Sequence, residues 1–373
     1  MITPHLPPEQ AANALLPIEI GDALTRDGVS TRYVSHPFSH TSNGLGDRNV
    51  TYVPRRGRSQ ASRSSAGAVY TAARMALGMA TAVRNSDIVH LHSNGFIIEV
   101  GELLARRFNK PYVITLYGTD VWDHDPRRHA RFARVVRGAQ RRVFYSRGLL
   151  DFARPLGLTD EPSTVIYAPV SSAFGLVDEA KRRTIRQEMG VGPGPLLVTV
   201  KRLHPVAGHE TLLRAIPQIL LHYPDATFLL AGEGELRPKL EAQARALGIT
   251  DRVKFAGRVG HESVWKYYAA ADVFVLPSDV ESWGTVMLEA LACGTPVVAT
   301  DTPGGLEVRE HFGDDVTIVE RRNPEMLADA VGRVIAGRRR VSPETVDRLR
   351  REFSVSHCAA RYLDEYRRAT GGH

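Results

Sequence analysis

Residues Ala271–Thr300 read ADVFVLPSDVESWGTVMLEALACGTPVVAT. Val273–Leu276 is an apolar run of strand length, and Pro277–Ser282 has turn chemistry. From Gly284 to Cys293 the apolar positions Val286, Leu288 and Leu291 recur at helical spacing. Gly294 suits a helix end, Pro296 blocks continuation, and Val297–Thr300 begins a second apolar run. Strand, loop, helix, turn and strand in that order form the unit of a parallel sheet covered by helices.

The same alternation runs outward in both directions. Strand candidates in the first half are Val29–Ser35, Val50–Val53, Ile88–Leu91, Tyr112–Thr115, Arg142–Tyr145 and Thr164–Tyr167, with a short initial one near Ile2–Pro4. In the second half they are Leu196–Val200, Thr227–Ala231, Val253–Phe255, Val273–Leu276, Val297–Thr300 and Val316–Val319. Helical patterns such as Glu99–Arg107, His209–His222 and Leu236–Leu247 lie between them. Two such series predict two doubly wound α/β domains. The expected division is 1–170, a hinge over 171–195, a second domain over 196–352, and a C-terminal helical stretch, 353–373, that crosses back to the first domain. Pro54–Ser65 is polar and basic and reads as a loop.

The chain has 373 residues and a formal charge of +7, from 48 Lys and Arg against 41 Asp and Glu. Residues 1–170 hold 21 against 14, and the remainder is balanced. The excess therefore sits on the first half, notably in Pro54–Ser65 and Arg127–Arg147, the latter most simply a solvated helix face. No nucleic-acid recognition motif or interleaved aromatics accompany it, so no nucleic acid is expected. It leaves contact with an anionic membrane surface open. No apolar run approaches the roughly 18 residues of a membrane span. The start, MITPHLPPEQ, lacks a signal-peptide pattern. Two cysteines, Cys293 and Cys358, without metal-ligand spacing, fit a reducing compartment. A cytoplasmic location, with the inner face of the membrane as an option, is the expectation.

Glu281 stands just before the helix N-terminus, and Glu289 lies on the helix, about two turns on from Glu281. Free amides at a helix start favour phosphate, and Gly284 lets a ligand approach the backbone closely. Carboxylates beside that anion site suit sugar hydroxyls or developing positive charge. Together they describe a nucleotide-sugar site. Taken alone, the spacing equally describes a capping acid and a solvated one.

The segment ESWGTVMLEALACGTPVVAT resembles the E-x7-E region of the large retaining glycosyltransferase family 4, the glycosyl transferases group 1. KRLHPVAGHETLLRAIPQI resembles the family's strand, Arg-Leu turn and helix; TFLLAGEGELRPKLEAQARALGITDRVKFAGRV resembles its Gly-x-Gly loop and base-binding strand. DIVHLHSNGF and KPYVITLYGTDVW resemble its first-domain HxHS and HGxD segments, and FSVSHCAARYLDEYRRA its crossing helix. The resemblance implies a GT-B architecture, two Rossmann-like doubly wound parallel-sheet domains facing across a cleft. It implies that Glu281 contacts donor-sugar hydroxyls, that the amides of Trp283, Gly284, Thr285 and Val286 hold sugar and diphosphate, and that Glu289 binds ribose. It places Arg202 at the leaving diphosphate, Arg258 and Val259 at the base, and Gly232 and Gly234 in the adjoining turn. His92, Ser93 and Asn13 fall on the acceptor side, with Tyr117 and Asp120 in the HGxD-like segment.

Four positions depart from the family pattern. The lysine expected before Gly208 is Ala207; Lys201, beside Arg202, is a candidate substitute, although neighbouring strand residues point to opposite faces. Tyr117 replaces the HGxD histidine and is a poor base. Gln10-Ala11-Ala12-Asn13 replaces a Gly-Gly loop, and Ala168-Pro169-Val170-Ser171 replaces the linker motif. The resulting expectation is retaining transfer of a hexose-type sugar from a nucleoside-diphosphate sugar, UDP ahead of GDP, to a carbohydrate, lipid-linked or small-molecule hydroxyl. No cofactor or metal is expected, since Asp123-His124-Asp125 is the one DxD match and follows the YGTD segment. The alternatives are a GT-B nucleotide-sugar epimerase or phosphorylase, and a catalytically weak sugar-nucleotide binding protein.

Overall fold

The computed structural model describes residues 1–7, 12–37, 45–46, 48–55, 65–122, 129–159 and 162–371. Most of Pro54–Ser65, all of Asp123-His124-Asp125, and Gln10 and Ala11 lie outside the described residues. The chain divides into two compact units, Met1–Pro169 with Val355–His373, and Val170–Ser354.

The first unit carries β1 (Tyr33–Ser35), β2 (Val50–Tyr52), β3 (Val89–His92), β4 (Tyr112–Leu116), β5 (Arg141–Phe144) and β6 (Ser163–Val165). β3-β4-β5-β6 is a parallel sheet, and Ile2 bridges in parallel to both Val34 of β1 and Leu91 of β3. The order is thus β2-β1-Ile2-β3-β4-β5-β6, and the chain direction of sheet growth reverses between Ile2 and β3. β3 and β4 are buried along their whole length, as parallel strands covered on both faces must be. The helix Val355–Thr370 packs on the helix Ala12–Arg26 and on β4 and β5.

The second unit carries β7 (Leu196–Val200), β8 (Thr227–Ala231), β9 (Val253–Gly257), β10 (Val273–Leu276), β11 (Val297–Thr300) and β12 (Val316–Val319). All six pair in parallel in the order β12-β11-β10-β7-β8-β9. This is the Rossmann order, with its switch point between β7 and β10, and open sheets of this kind bind ligands beyond the carboxyl ends at that point. One core binds strands to helices: Leu197, Phe228, Leu230 and Val275 from the sheet meet Leu212, Leu213, Ile216 and Ile219 of the helix His209–His222. The next helix shown in that core, Pro324–Gly337, starts where the Asn323 side chain accepts the Met326 N–H.

Helix Pro343–Glu352 ends before the C-terminal stretch, which forms its own helix, Val355–Thr370, and belongs to the first unit. Between them Phe353 is buried with its ring 5.8 Å from Trp283, and its carbonyl accepts the Val170 N–H at 2.7 Å. The basic run Arg127–Arg147 is not one solvated helix face. Beyond residues 127–128, which are not described, it forms the helix His129–Arg137 and then β5. Arg142 is 4 % exposed because its Nε–H donates to the Val136 carbonyl, and Arg141 pairs with Glu365. The stretch 171–195, expected as a hinge, lies in the second unit and contains the helix Glu179–Glu188.

Candidate active site

The switch point of the second sheet gathers most of the donor-side candidates. β7 ends into Lys201 and Arg202, and β10 ends into the loop that carries Glu281. Of the two cations, Lys201 turns inward: its Nζ lies 2.5 Å from Glu281 Oε2. Arg202 is exposed, and its side chain makes no ion pair among the described residues. The alternation of neighbouring residues thus splits the pair, Lys201 to the carboxylate and Arg202 to solvent. Glu281 itself is 9 % exposed.

Beyond Glu281 the chain enters the helix Thr285–Ala292 through Gly284, whose left-handed φ of 71° admits no ordinary side chain without strain. A Cβ there would also meet Met287 Cε at 2.6 Å. The Met287 N–H donates to Gly284 O at 2.8 Å, so the amides of Thr285 and Val286 lie ahead of that bond, in the first turn. Trp283 is fully buried; its ring stacks on Phe353 and meets His311 edge-on at 5.7 Å. The side chain therefore props the loop from below and leaves only its backbone for a ligand. One turn in, Glu289 accepts the Tyr268 hydroxyl at 2.6 Å. Burial first, then the Glu289 charge, holds the Tyr268 phenol protonated well above its usual range.

Gly232 and Gly234 serve packing. A Cβ at Gly232 would meet Lys201 O at 2.0 Å, and one at Gly234 would meet Leu203 O at 2.1 Å. Their close approach fixes the Lys201–Leu203 turn, with Lys201 N donating to Ala231 O and Leu203 N to Glu233 O. Arg258 and Val259 follow β9, and Arg258 is exposed. Ala207 is buried, in a short 3₁₀ turn closed by Gly208.

Three parts of this region escape sequence reading. His209 is 1 % exposed, and neither ring nitrogen has a partner. Burial, with Lys201 as the second cause, pushes its pKa down to about 4. Tyr268 orients Glu289 from a different helix. Gly304 donates its N–H to Glu281 O at 3.0 Å, and a Cβ there would strike Trp283 N at 2.7 Å. The Pro303-Gly304-Gly305 start of a helix was the available signal for this last contact.

In the first unit the acceptor-side candidates gather at the carboxyl ends of β3 and β4. His92 Nδ1 lies 2.7 Å from the Tyr117 hydroxyl, and its Nε2 is buried without a partner. His90 lies alongside, with ring centroids 3.8 Å apart, and reaches the Tyr366 hydroxyl at 2.6 Å and Thr115 Oγ1 at 2.8 Å. Burial lowers both histidines well below the usual range, so both are neutral. Burial likewise raises Tyr117 well above the usual range, which leaves it a hydrogen-bonding phenol and not a base. Ser93 takes a left-handed φ of 71°. Asp120 is 2 % exposed, and its carboxylate accepts the Tyr117 and Gly118 amides at 3.0 and 2.7 Å. It holds the loop in place, and burial raises its pKa against those bonds. Asn13 falls in the helix Ala12–Arg26, its side chain outside what the structure describes.

A six-stranded Rossmann sheet with a cation–carboxylate pair and a glycine-led helix start at its switch point defines a nucleotide-handling α/β protein. Comparison with known proteins narrows the class. Residues 181–352 match the model of the glycosyl transferases group 1, and residues 18–174 that of Glycosyltransferase Family 4. A D-inositol 3-phosphate glycosyltransferase from Geodermatophilus obscurus is 30 % identical over 357 residues, 87 % of this chain and 78 % of that relative. A GDP-mannose-dependent alpha-(1-6)-phosphatidylinositol monomannoside mannosyltransferase from Mycolicibacterium smegmatis is 31 % identical over 255 residues, 65 % of each chain. The matched region spans about two-thirds or less of the length of several such relatives. In fold, the chain is similar to HepE from Anabaena in complex with UDP, with TM-score 0.80, 20 % identity and 98 % of each chain covered. The chain belongs to the group 1, family 4-like glycosyltransferases of GT-B fold.

Proposed function

We propose that the protein is a retaining glycosyltransferase that moves a hexose-type sugar from a nucleoside-diphosphate sugar to a hydroxyl acceptor without a metal. The observation that carries this reading is the Lys201–Glu281 pair beside the Gly284-led helix start at the sheet's switch point. The amides of that first turn, Lys201 and Arg202 supply positive potential where a diphosphate gains negative charge as it leaves. Glu281 faces the sugar, where its carboxylate accepts hydroxyl protons and favours an oxocarbenium-like centre. Glu289, set by Tyr268, takes the ribose hydroxyls.

The bond between the anomeric carbon and the phosphate oxygen breaks with its electron pair going to the diphosphate. The acceptor oxygen attacks from the same face, and its proton passes to the departing phosphate oxygen. Both glutamates serve one donor, so neither is assigned as the nucleophile of a double displacement. UDP-hexoses are the first donors to test and GDP-mannose the second, because a relative's name carries it. The names of two relatives put phosphorylated polyols and their lipid-linked forms first among acceptors.

Glu281→Ala is expected to lower kcat for transfer by about two to three orders of magnitude, the scale of losing one transition-state electrostatic partner. Nucleoside-diphosphate affinity, read by calorimetry, should stay within a few-fold. Unchanged turnover removes Glu281 from the site. Wild-type activity that disappears in EDTA and returns with Mn²⁺ overturns the metal-free step. Conversion of the donor alone into an epimer identifies the epimerase reading, and binding without transfer or hydrolysis identifies the binding-protein reading.

A further inference from the structure

The end of the second sheet opposite the donor-side loops holds a cavity of about 660 Å³. It lies between the start of helix Glu179–Glu188, the residues that lead into β7, and the end of helix Pro324–Gly337. Its charged lining is Arg182, Arg338, Arg339 and Arg340 against Glu179 and Asp272. Asp272 is already committed. Its Oδ1 accepts from Arg182 at 2.5 Å, and its Oδ2 accepts from Arg186 at 2.9 Å and from Leu196 N at 2.7 Å. Arg339 pairs with Asp315 at 3.1 Å.

Glu179 pairs with Arg182 at 3.6 Å, and two guanidiniums make no ion pair among the described residues. Arg340 donates to the carbonyls of Ala271 and Cys293 at 2.9 and 3.0 Å. Arg338 is exposed at the cavity rim, and its side chain makes no hydrogen bond or ion pair among the described residues. In addition, the Arg182 Nε–H is buried with no acceptor. Burial, then the facing Arg182, draws the Arg340 pKa below its ordinary value against the nearby carboxylates of Asp272 and Glu179. The carbonyl end of helix Pro324–Gly337 offers about half a negative charge, too little for two unmatched cations. A buried donor and crowded like charges are costly unless something compensates them.

We propose that this cavity binds a phosphate-bearing anion, at a site separate from the donor site. The forked donors of Arg338 and Arg340 suit phosphate oxygens. Pro195, Tyr223 and Ile335, which also line the cavity, suit the organic part of a phosphate ester.

The test is titration calorimetry of the full chain at low ionic strength, with glucose 1-phosphate and, separately, inorganic phosphate as probes. Saturable binding is expected. Arg338→Asn, which tolerates the left-handed backbone at that position (φ 44°), should weaken it about tenfold, and Arg340→Gln should weaken it at least as much. Arg202→Ala, which removes a cation on the donor side, should leave it unchanged. Tighter binding of the ester assigns the site to organic phosphates, and equal binding assigns it to free phosphate. No saturable heat from either probe overturns the proposal, as does binding lost in Arg202→Ala but kept in Arg338→Asn.

Discussion

At Lys201 and Ala207 the chain departs from the family pattern. The family pattern expects a lysine before the glycine of the turn, and Ala207 occupies that position, buried and uncharged. Lys201, six positions earlier, brings an ammonium to Glu281 from the end of β7. If this is the diphosphate cation in a new seat, Lys201→Ala should lower transfer by roughly 10²-fold, about 2.7 kcal/mol of transition-state stabilisation. Adding Ala207→Lys to that variant should restore part of the rate, since the second change returns the charge to the turn. A double variant no faster than Lys201→Ala, with nucleotide affinity intact, would show that Lys201 acts only by holding Glu281. The sequence named both residues of the pair, yet it left the direction of Lys201 open. Glu281 is far along the chain, and only the order β10-β7 brings the two strand ends together. Trp283 shows the converse: its place in the motif was legible, but its stacking partner Phe353 arrives from the far end of the chain.

Among the elements, legibility follows chemistry. β7, β8, β10, β11 and β12 fall at their expected residues because each is a run of apolar and β-branched residues without a charged or glycine break. In the first unit the ends shift by one or more residues, since β3 reads VHLH and β5 reads RRVF, strands that bury His and Arg. Such strands are stable only where long-range partners meet the polar atoms, as Tyr366 and Thr115 do for His90. That burial has a titration consequence. His90 and His92 stay neutral in the fold, while the unfolded chain takes up protons below about pH 6.5. Stability is therefore lost as pH falls below about 6.5, and His209, with its pKa down at about 4, adds a third site of the same sign. Glu19 opposes them: burial raises its pKa to about 7, so protonation there favours the fold as pH falls. The buried histidines outnumber Glu19, so the net effect is a loss of stability as pH falls from about 6.5. Calorimetric melting temperatures at pH 7.5, 6 and 5 should fall in that order; a flat series would mean that the histidines accept protons without leaving the fold.

For the whole molecule, the charge imbalance is local to one unit. The second unit holds cations such as Arg182 and Arg186 in pairs with Asp272, whereas the first has a helix, Ser65–Arg84, with no acidic residue. On that helix Val69, Tyr70 and Leu77 are 69, 64 and 79 % exposed, and the Arg74 guanidinium lies 5.9 Å from the Tyr70 ring centre. An apolar face edged by arginines suits the boundary of an anionic bilayer. No helix among the described residues is long and apolar enough to cross a membrane. Vesicles containing phosphatidylserine should bind the protein at low salt and release it as salt rises, with Leu77→Glu weakening the binding several-fold. Absence of binding at low salt would remove the membrane from the account. The helix Val355–Thr370 has a different consequence, one of timing. It completes the first unit, giving Tyr362 and Tyr366 to the histidine cluster and Glu365 to Arg141, yet it follows the whole of the second unit in the chain. The second unit, Val170–Ser354, is contiguous in the chain and is synthesised before that helix. During translation the later-encoded unit can therefore close first, while the earlier-encoded one waits for this helix, with His90 lacking Tyr366 and Arg141 lacking Glu365.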